Sequence, residues 1–168
     1  MKRPQPEEYN SFYQRYIDTV GDDVLSEASD QLEIFPQYLR SIPHDKIDFA
    51  YADGKWTIKE LLGHVTDTER IMAYRLLRFA RNDSTGLAGF DENDYVMNAH
   101  SGDRDFNDMI EEFEAVRNAN LFLFRSLTEE DLQRKGEANN SSISVRSLLF
   151  IIVGHVKHHQ KVIEEIYF

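Results

Sequence analysis

The sequence predicts an all-α protein, a four-helix bundle with one long crossover connection. Four long stretches of the 168-residue chain repeat apolar residues at the spacing of a helix. A connection of about 20 residues interrupts this pattern, and connections of that length are usually crossovers or functional loops. No convincing run of strands appears, so the expected architecture is a bundle that forms a single domain over residues 1–168.

Residues 1–22 are expected to form a tail followed by a short helix that packs on the bundle. Aromatic residues recur there at helical spacing, at Tyr9, Phe12, Tyr13 and Tyr16. The segment Gly21-Asp22-Asp23 supplies a break and a possible N-cap for the first long helix, which runs towards Ile42. Pro36 lies inside that pattern and predicts a kink or an interruption, because proline lacks the backbone N–H that a helix interior uses.

The second long helix follows a connection from Ile42 to Lys55. Thr57 and Glu60 form a capping box at its start, and the helical period then continues for about 25 residues. Glu69 falls in the middle of the apolar face of this helix. A charged side chain at that position is expected to have a partner inside the bundle, because an unpaired buried charge costs several kcal/mol.

The helical pattern stops from Asn82 to about Asp105, and this connection is expected to cross the end of the bundle and cover a pocket. The third long helix begins at Phe106 and has Arg117 among its apolar residues. Glu69 and Arg117 each lie near the centre of an apolar stripe. We therefore predict that they form a buried ion pair across the bundle.

The last part of the chain contains a short helix and the fourth long helix. Thr128 and Asp131 predict the start of the short helix, which stops near Gly136, and the segment GEANNSSIS after it is expected to be a loop. Ser144 is the candidate N-cap of the last long helix, which continues towards Phe168.

Two histidines of the last helix, His155 and His159, lie on its apolar stripe one turn apart. Leaving one buried polar group unpaired costs about 1–3 kcal/mol, so both imidazoles need partners. A first-row transition ion would satisfy both, since imidazoles at positions i and i+4 point the same way. The alternative is a pair of core histidines that are satisfied by hydrogen bonds.

A third imidazole is available from His64, near the start of the second long helix. Its helical phase places it on the shoulder of the apolar stripe, together with Thr68, Ile71 and Arg75. If the second and fourth helices are neighbours, three imidazoles converge inside the bundle. His158 is displaced to the side of the face that His155 and His159 share.

Three segments of the chain resemble successive segments of the DinB-like (YfiT-type) family. They are YADGKWTIKELLGHVTDTERIMAYRLLRFAR, GFDENDYV and SVRSLLFIIVGHVKHHQKVIEEIY. The resemblance implies a four-helix bundle with a long crossover. It also implies a divalent metal held by the histidine of GHVTD, here His64, and by the two histidines of the closing His-x3-His, here His155 and His159.

Composition excludes several classes of function. The net charge of −11 and the pI near 4.9 oppose binding to nucleic acid or to an anionic membrane surface. The chain has no cysteine, so thiol chemistry would need a low-molecular-weight thiol from outside. No run of about 18 apolar residues and no basic-then-apolar leader appears, so a cytoplasmic protein is expected. The small-molecule substrate is what the family resemblance implies.

A three-histidine site leaves open positions on the ion, as catalytic sites do. Zinc or nickel is the expected ion, with iron and manganese as further options. Characterised relatives of the family include thiol-dependent transferases and isomerases, so the resemblance favours a thiol transferase. The alternatives are a non-catalytic metal-binding or stress-response protein and a metal-dependent hydrolase, whose water has a pKa lowered towards about 7.

Two further expectations concern Glu69 and the oligomeric state. As an alternative to its ion pair with Arg117, Glu69 is the candidate catalytic residue, either as a general base or as a further group around the ion. Related bundles often pair through helix faces, so a homodimer is expected.

Overall fold

Eight α-helices and one two-stranded sheet form the protein in a computed structural model that describes residues 1–168. The helices are α1 Gln14–Ile17, α2 Val24–Arg40, α3 His44–Ile47, α4 Ile58–Ala80, α5 Glu92–Asn98, α6 Phe106–Arg125, α7 Glu129–Gln133 and α8 Val145–Ile166. The strands are β1 Lys135–Ala138 and β2 Ser141–Ser144. Short 3₁₀ turns lie at Pro6–Glu8, Ser11–Tyr13 and Ser101–Asp103.

The four long helices α2, α4, α6 and α8 form the predicted bundle. Helices α2 and α4 each pack against both α6 and α8. The second and third long helices, α4 and α6, are therefore neighbours in the bundle, and the long crossover, which contains the short helix α5, joins them. The fold class predicted from helical periodicity is confirmed, and α4 and α8, the two helices that carry the candidate metal ligands, are in contact.

The predicted helix starts are confirmed by side-chain caps. The carboxylate of Asp23 accepts a hydrogen bond from the N–H of Ser26, and the hydroxyl of Ser144 accepts one from the N–H of Ser147. Thr57 and Glu60 form the reciprocal capping box of α4. Each cap satisfies N–H groups that the first helical turn leaves unpaired, so these residues fix where the bundle helices begin.

One local expectation is narrowed and a second is wrong. Helix α2 continues through Pro36 to Arg40, so the helix is not interrupted there, and the alternative of a kink stays a prediction. The segment expected to be a loop before α8 contains an antiparallel hairpin, in which β1 pairs with β2. Asn139 and Asn140 form its turn with φ values of 51° and 57°, the left-handed conformation that asparagine tolerates and that tight hairpin turns need.

The crossover between α4 and α6 is more ordered than its sequence indicates. It contains α5 and is attached to the hairpin at Leu87, whose N–H donates to the carbonyl of Glu137 at 2.9 Å. The carbonyl of Leu87 accepts a hydrogen bond from the N–H of Asn139 at 3.0 Å. Backbone pairing therefore fixes the crossover against the segment that leads into α8.

The apolar core consists of two clusters with polar residues between them. One cluster includes the apolar side chains between Met72 and Ala80 of α4 and between Val145 and Val153 of α8. The other includes those between Ile58 and Val65 of α4, with Val156 and Ile163 of α8. Buried polar side chains occupy each bundle helix between these clusters: Gln31, Glu69, Arg117 and His155. No helix is both long and apolar enough to span a bilayer.

Candidate metal centre

The structure brings together the three histidines that the sequence singles out. The Nε2 atom of His155 lies 3.1 Å from that of His64 and 3.0 Å from that of His159. All three side chains are buried, and a candidate ligand atom from each lies within 4.8 Å of the other two. The three imidazoles therefore direct nitrogen atoms at one point between α4 and α8.

Helix geometry and aromatic neighbours fix this arrangement. His155 and His159 are one turn apart on α8, which places both rings on the side that faces α4. The ring of Tyr16 packs edge-on against His155 with centroids 5.3 Å apart, and the indole of Trp56 lies 4.8 Å from the ring of His64. Tyr16, which precedes α2, and Trp56, which precedes α4, thus contact the imidazoles.

The three imidazoles are in the neutral form that metal binding requires. Burial lowers the pKa of His64 to about 4 and lowers the pKa values of His155 and His159 well below the usual value. The neighbouring imidazoles lower the pKa values of His155 and His159 further. At neutral pH each ring therefore offers an unprotonated nitrogen.

The donor set fits a transition ion. The Nε2 atom of His155 faces two other Nε2 atoms, and a single N–H there can donate to only one of them. Nitrogens about 3 Å apart agree with two atoms that each lie about 2.0–2.1 Å from one ion. The Nδ1 atom of His159 is buried without a hydrogen-bond partner, so no outer group fixes the tautomer of that ring.

The predicted ion pair between Glu69 and Arg117 is present beside the three imidazoles. Nε and Nη2 of Arg117 donate to the two carboxylate oxygens of Glu69, each at 2.8 Å. The remaining guanidinium nitrogen donates to the side chain of Gln31 and the carbonyl of Ala28, and the amide of Asn120 donates to Glu69 at 3.1 Å. Both oxygens of Glu69 are therefore already engaged.

Two cavities border the three-histidine cluster, each lined by different members of it. A cavity of about 310 Å³ is lined by His64 and His155 and by residues of the N-terminal segment, the crossover and the hairpin. A second cavity of about 280 Å³ is lined by His158 and His159 together with Trp56. The ring of His158 is half-buried with its centroid 5.0 Å from that of His159, so it stands beside the three-histidine cluster.

Several residues of the larger cavity were not predicted to have a role in the site. Thr68 and Arg75 line it together with Tyr13 and Phe90. The shoulder of α4 that carries His64 also carries Thr68 and Arg75. The helical phase of the sequence was therefore sufficient to predict that these two residues lie on the same side of α4 as His64. The contributions of the N-terminal segment and the crossover depend on how distant parts of the chain pack, which periodicity does not describe.

Comparison with known proteins supports a metal-dependent family. Residues 28–163 match the family model of the DinB superfamily. Two proteins of Oceanobacillus iheyensis carry provisional names as metal-dependent hydrolases. One is 24% identical over 145 residues, covering 81% of each chain, and the other is 25% identical over 122 residues, covering 72% of this chain and 70% of its own.

Two solved structures have the same fold. YfiT from Bacillus subtilis, described as a probable metal-dependent hydrolase with an unusual four-helix bundle topology, matches with a TM-score of 0.75 and 20% identity over 98% of this chain and 91% of its own. A mycothiol-dependent maleylpyruvate isomerase matches with a TM-score of 0.68 and 13% identity over 86% of this chain and 61% of its own. The chain belongs to the DinB superfamily.

Proposed function

We propose that the protein is a metal-dependent enzyme that holds a divalent transition ion through His64, His155 and His159. The observation that carries this proposal is the convergence of three neutral, buried imidazole nitrogens between α4 and α8. Zinc and nickel are the preferred ions, since imidazole suits both; iron also accepts imidazole and is an alternative, and manganese is a weaker one because it favours oxygen ligands. A bound ion supplies Lewis acidity, which lowers the pKa of a thiol or a water that it holds.

We further propose that the reaction is the transfer of a small-molecule thiol to an electrophile. One cavity is lined by His64 and His155 and a second by His159, an arrangement that would give two substrates separate access to the imidazoles. The chain itself contains no cysteine, so the thiol would come from a second molecule. The name of the mycothiol-dependent structural neighbour agrees with a thiol as one of the substrates.

Hydrolysis is the second candidate, and the provisional names of the Oceanobacillus relatives favour it. A hydrolase of this kind commonly uses a carboxylate as general base towards water. Glu69 is a buried carboxylate that lines a small cavity together with His155, and both of its oxygens accept hydrogen bonds from Arg117. A thiol needs less help from a base, because its ordinary pKa is already about 8.5; this difference favours thiol transfer.

Metal analysis of the purified protein tests the ligand set. After reconstitution with zinc or nickel, we expect one ion per chain in the wild type and in His158→Ala, the matched control in α8. His64→Ala and His155→Ala should each bind the metal at least tenfold more weakly, because two imidazoles remain. A wild type that binds no stoichiometric ion, or ligand variants that bind it like the control, would contradict the proposal.

Turnover assays separate the possible reactions. Adduct formation between cysteine, 2-mercaptoethanol or mycothiol and monochlorobimane should be accelerated by the loaded wild type but not by His155→Ala. His44→Ala, which replaces an exposed histidine that lines neither cavity, should keep the wild-type rate. Hydrolysis of 4-nitrophenyl acetate without any thiol is the parallel assay. Ester hydrolysis alone would favour the hydrolase, and bound metal without turnover in either assay would favour a non-catalytic metal-binding role.

A further inference from the structure

Arg75 of α4 is a buried cation without an acidic partner. Three arginines of the chain are buried, and two of them form ion pairs: Arg117 with Glu69 at 2.8 Å and Arg146 with Glu8 at 3.4 Å. Arg75 is only 4% exposed, yet it forms no ion pair within 4.0 Å. Arginine is almost never buried without a partner, because an uncompensated charge loses its hydration.

The groups that surround Arg75 are neutral. One terminal nitrogen donates to the carbonyl of Ala88 at 2.8 Å and the other lies 3.7 Å from the sulfur of Met72. The guanidinium carbon is 5.8 Å from the centre of the Phe90 ring, and the phenol of Tyr13 is a further neutral neighbour. Burial lowers the pKa of Arg75, in agreement with a cation that its surroundings compensate only in part.

The larger cavity beside the three histidines contains this guanidinium. Arg75 lines it together with His64 and His155, and the backbones of His64 and Arg75 are about 16 Å apart along α4. An extended molecule that fills the cavity would therefore reach both the guanidinium and the imidazoles. Thr68, on the same shoulder of α4, also lines the cavity, and its buried hydroxyl has no hydrogen-bond partner. The only acid in the lining is Glu92, which is exposed on the crossover.

We propose that Arg75 binds the anionic group of the substrate, a carboxylate or a phosphate, and holds the rest of the molecule beside the three-histidine centre. A guanidinium binds either anion through two parallel hydrogen bonds, and such a pair is strongest where water is excluded. Tyr13, Tyr16 and Phe90 line the same cavity and suit an apolar or aromatic body for this molecule. The statement that this anion belongs to a substrate rests on the proposed function, but the binding of an anion by Arg75 needs no metal.

Three fluorinated probes that differ only in the polar group test the proposal. They are 4-fluorobenzoate, 4-fluorophenyl phosphate and the neutral 4-fluorobenzamide, and their binding is followed by ¹⁹F relaxation with zinc-loaded and with metal-free protein. We expect the better anion to bind about tenfold to a hundredfold more tightly than the amide in both forms. The tighter of the two anions identifies the chemical class of the substrate.

Variants assign this preference to Arg75. Arg75→Met should lose the preference for the anion, and Arg75→Lys, which keeps the charge without the planar fork, should lose part of it. Arg78→Met is the control on the same helix, because Arg78 pairs with Asp83 outside the cavity. Arg75→Met should remain folded by circular dichroism and keep the zinc stoichiometry of the wild type, since no buried acid is left unpaired.

Three outcomes would overturn the proposal. They are equal affinity for anions and amide in the wild type, an anion preference that survives in Arg75→Met, and a preference that appears only in zinc-loaded protein, where the ion would hold the anion. If zinc does not bind at all, the proposed function fails, but the metal-free titrations still decide whether Arg75 binds anions.

Discussion

Glu69 and Arg117 form an ion pair between the two apolar clusters of the core. Each lies in the centre of an apolar stripe, and in the structure they form a bidentate pair that Gln31 and Asn120 complete. The sequence could predict this pair because a buried charge on one helix requires a counter-charge on another. Like His155, the pair lies between the two apolar clusters of the core. It therefore stabilises the packing of the bundle helices next to the candidate metal centre.

Replacing Glu69 tests whether the carboxylate is structural. Glu69→Gln should lower the free energy of unfolding by about 3–5 kcal/mol in urea titrations, because it leaves the guanidinium of Arg117 buried without a counter-charge. The double variant Glu69→Gln/Arg117→Met should recover most of that loss and should still bind one metal ion per chain.

The opposite result would assign Glu69 a different role. A loss of less than about 1 kcal/mol, combined with abolished turnover and unchanged metal content, would support Glu69 as the general base. The catalytic role of Glu69 stays a prediction until these variants are compared, and the occupied carboxylate oxygens favour the structural role.

At the scale of elements, the contact between α1 and α8 determines one wall of the larger cavity. Gly154 permits this contact, since a Cβ atom at its position would lie 2.1 Å from the carbonyl oxygen of Tyr16. Tyr16 in turn packs on His155 and lines the cavity. The N-terminal segment is therefore held close to the candidate metal ligands by the absence of one side chain.

Gly154→Ala should destabilise the protein, although alanine is the better helix former by about 1 kcal/mol. The new methyl group has to displace the backbone of α1, and such overpacking costs about 1–3 kcal/mol. Thermal unfolding would show the loss, and metal affinity would fall only if the contact of Tyr16 helps to position His155. Gly102→Ala, where a Cβ atom meets nothing within 4 Å, is the control; equal effects in the two variants would contradict the clash.

The hairpin was the element that sequence reasoning missed, for a physical reason. Its strands have four residues each and are mostly polar, so they show no apolar alternation. Their pairing depends on a two-asparagine turn and on backbone hydrogen bonds to Leu87 of the crossover. The four bundle helices, in contrast, bury apolar stripes and have side-chain caps. Both features can be recognised from residues that are close together in the sequence.

For the whole molecule, the buried imidazoles make the metal-free fold sensitive to acid. The unfolded chain protonates His64 near pH 6.5, whereas the folded protein does so only at about pH 4. Unfolding therefore takes up protons in this range, so the contribution of His64 to stability is fully present well above pH 6.5 and is lost as the pH decreases towards 4. The lowered pKa values of His155 and His159 act in the same direction.

Urea titrations of chelator-treated protein between pH 7.5 and pH 4.5 would measure this dependence. We expect a loss of about 3 kcal/mol from His64 alone across the full interval between its two pKa values. His64→Ala should flatten part of the profile. A wild-type stability that is unchanged between pH 7 and pH 5 would show that the imidazoles are not held neutral.

The homodimer expected from the sequence stays a prediction. Phe122 of α6 and Met97 of α5 are both 71% exposed and offer apolar surface to a second copy. Light scattering at micromolar concentration should give twice the chain mass of 19.7 kDa, about 39 kDa. Phe122→Asp should favour the single-chain mass if α6 forms the contact, and a wild type at 19.7 kDa would contradict the prediction.

The separation of the histidines along the chain has a consequence for how the loaded protein would come apart. His64 and His155 are 91 residues apart in sequence, and their ring nitrogens are 3.1 Å apart in space. An ion shared by them would act as a cross-link that closes a loop containing the crossover, α6, α7 and the hairpin. An unfolded chain that kept the ion would lose conformational entropy worth about 4–5 kcal/mol, so unfolding favours release of the ion. Separation of α4 from α8 would then have to accompany loss of the ion, so unfolding and metal release would share one kinetic barrier.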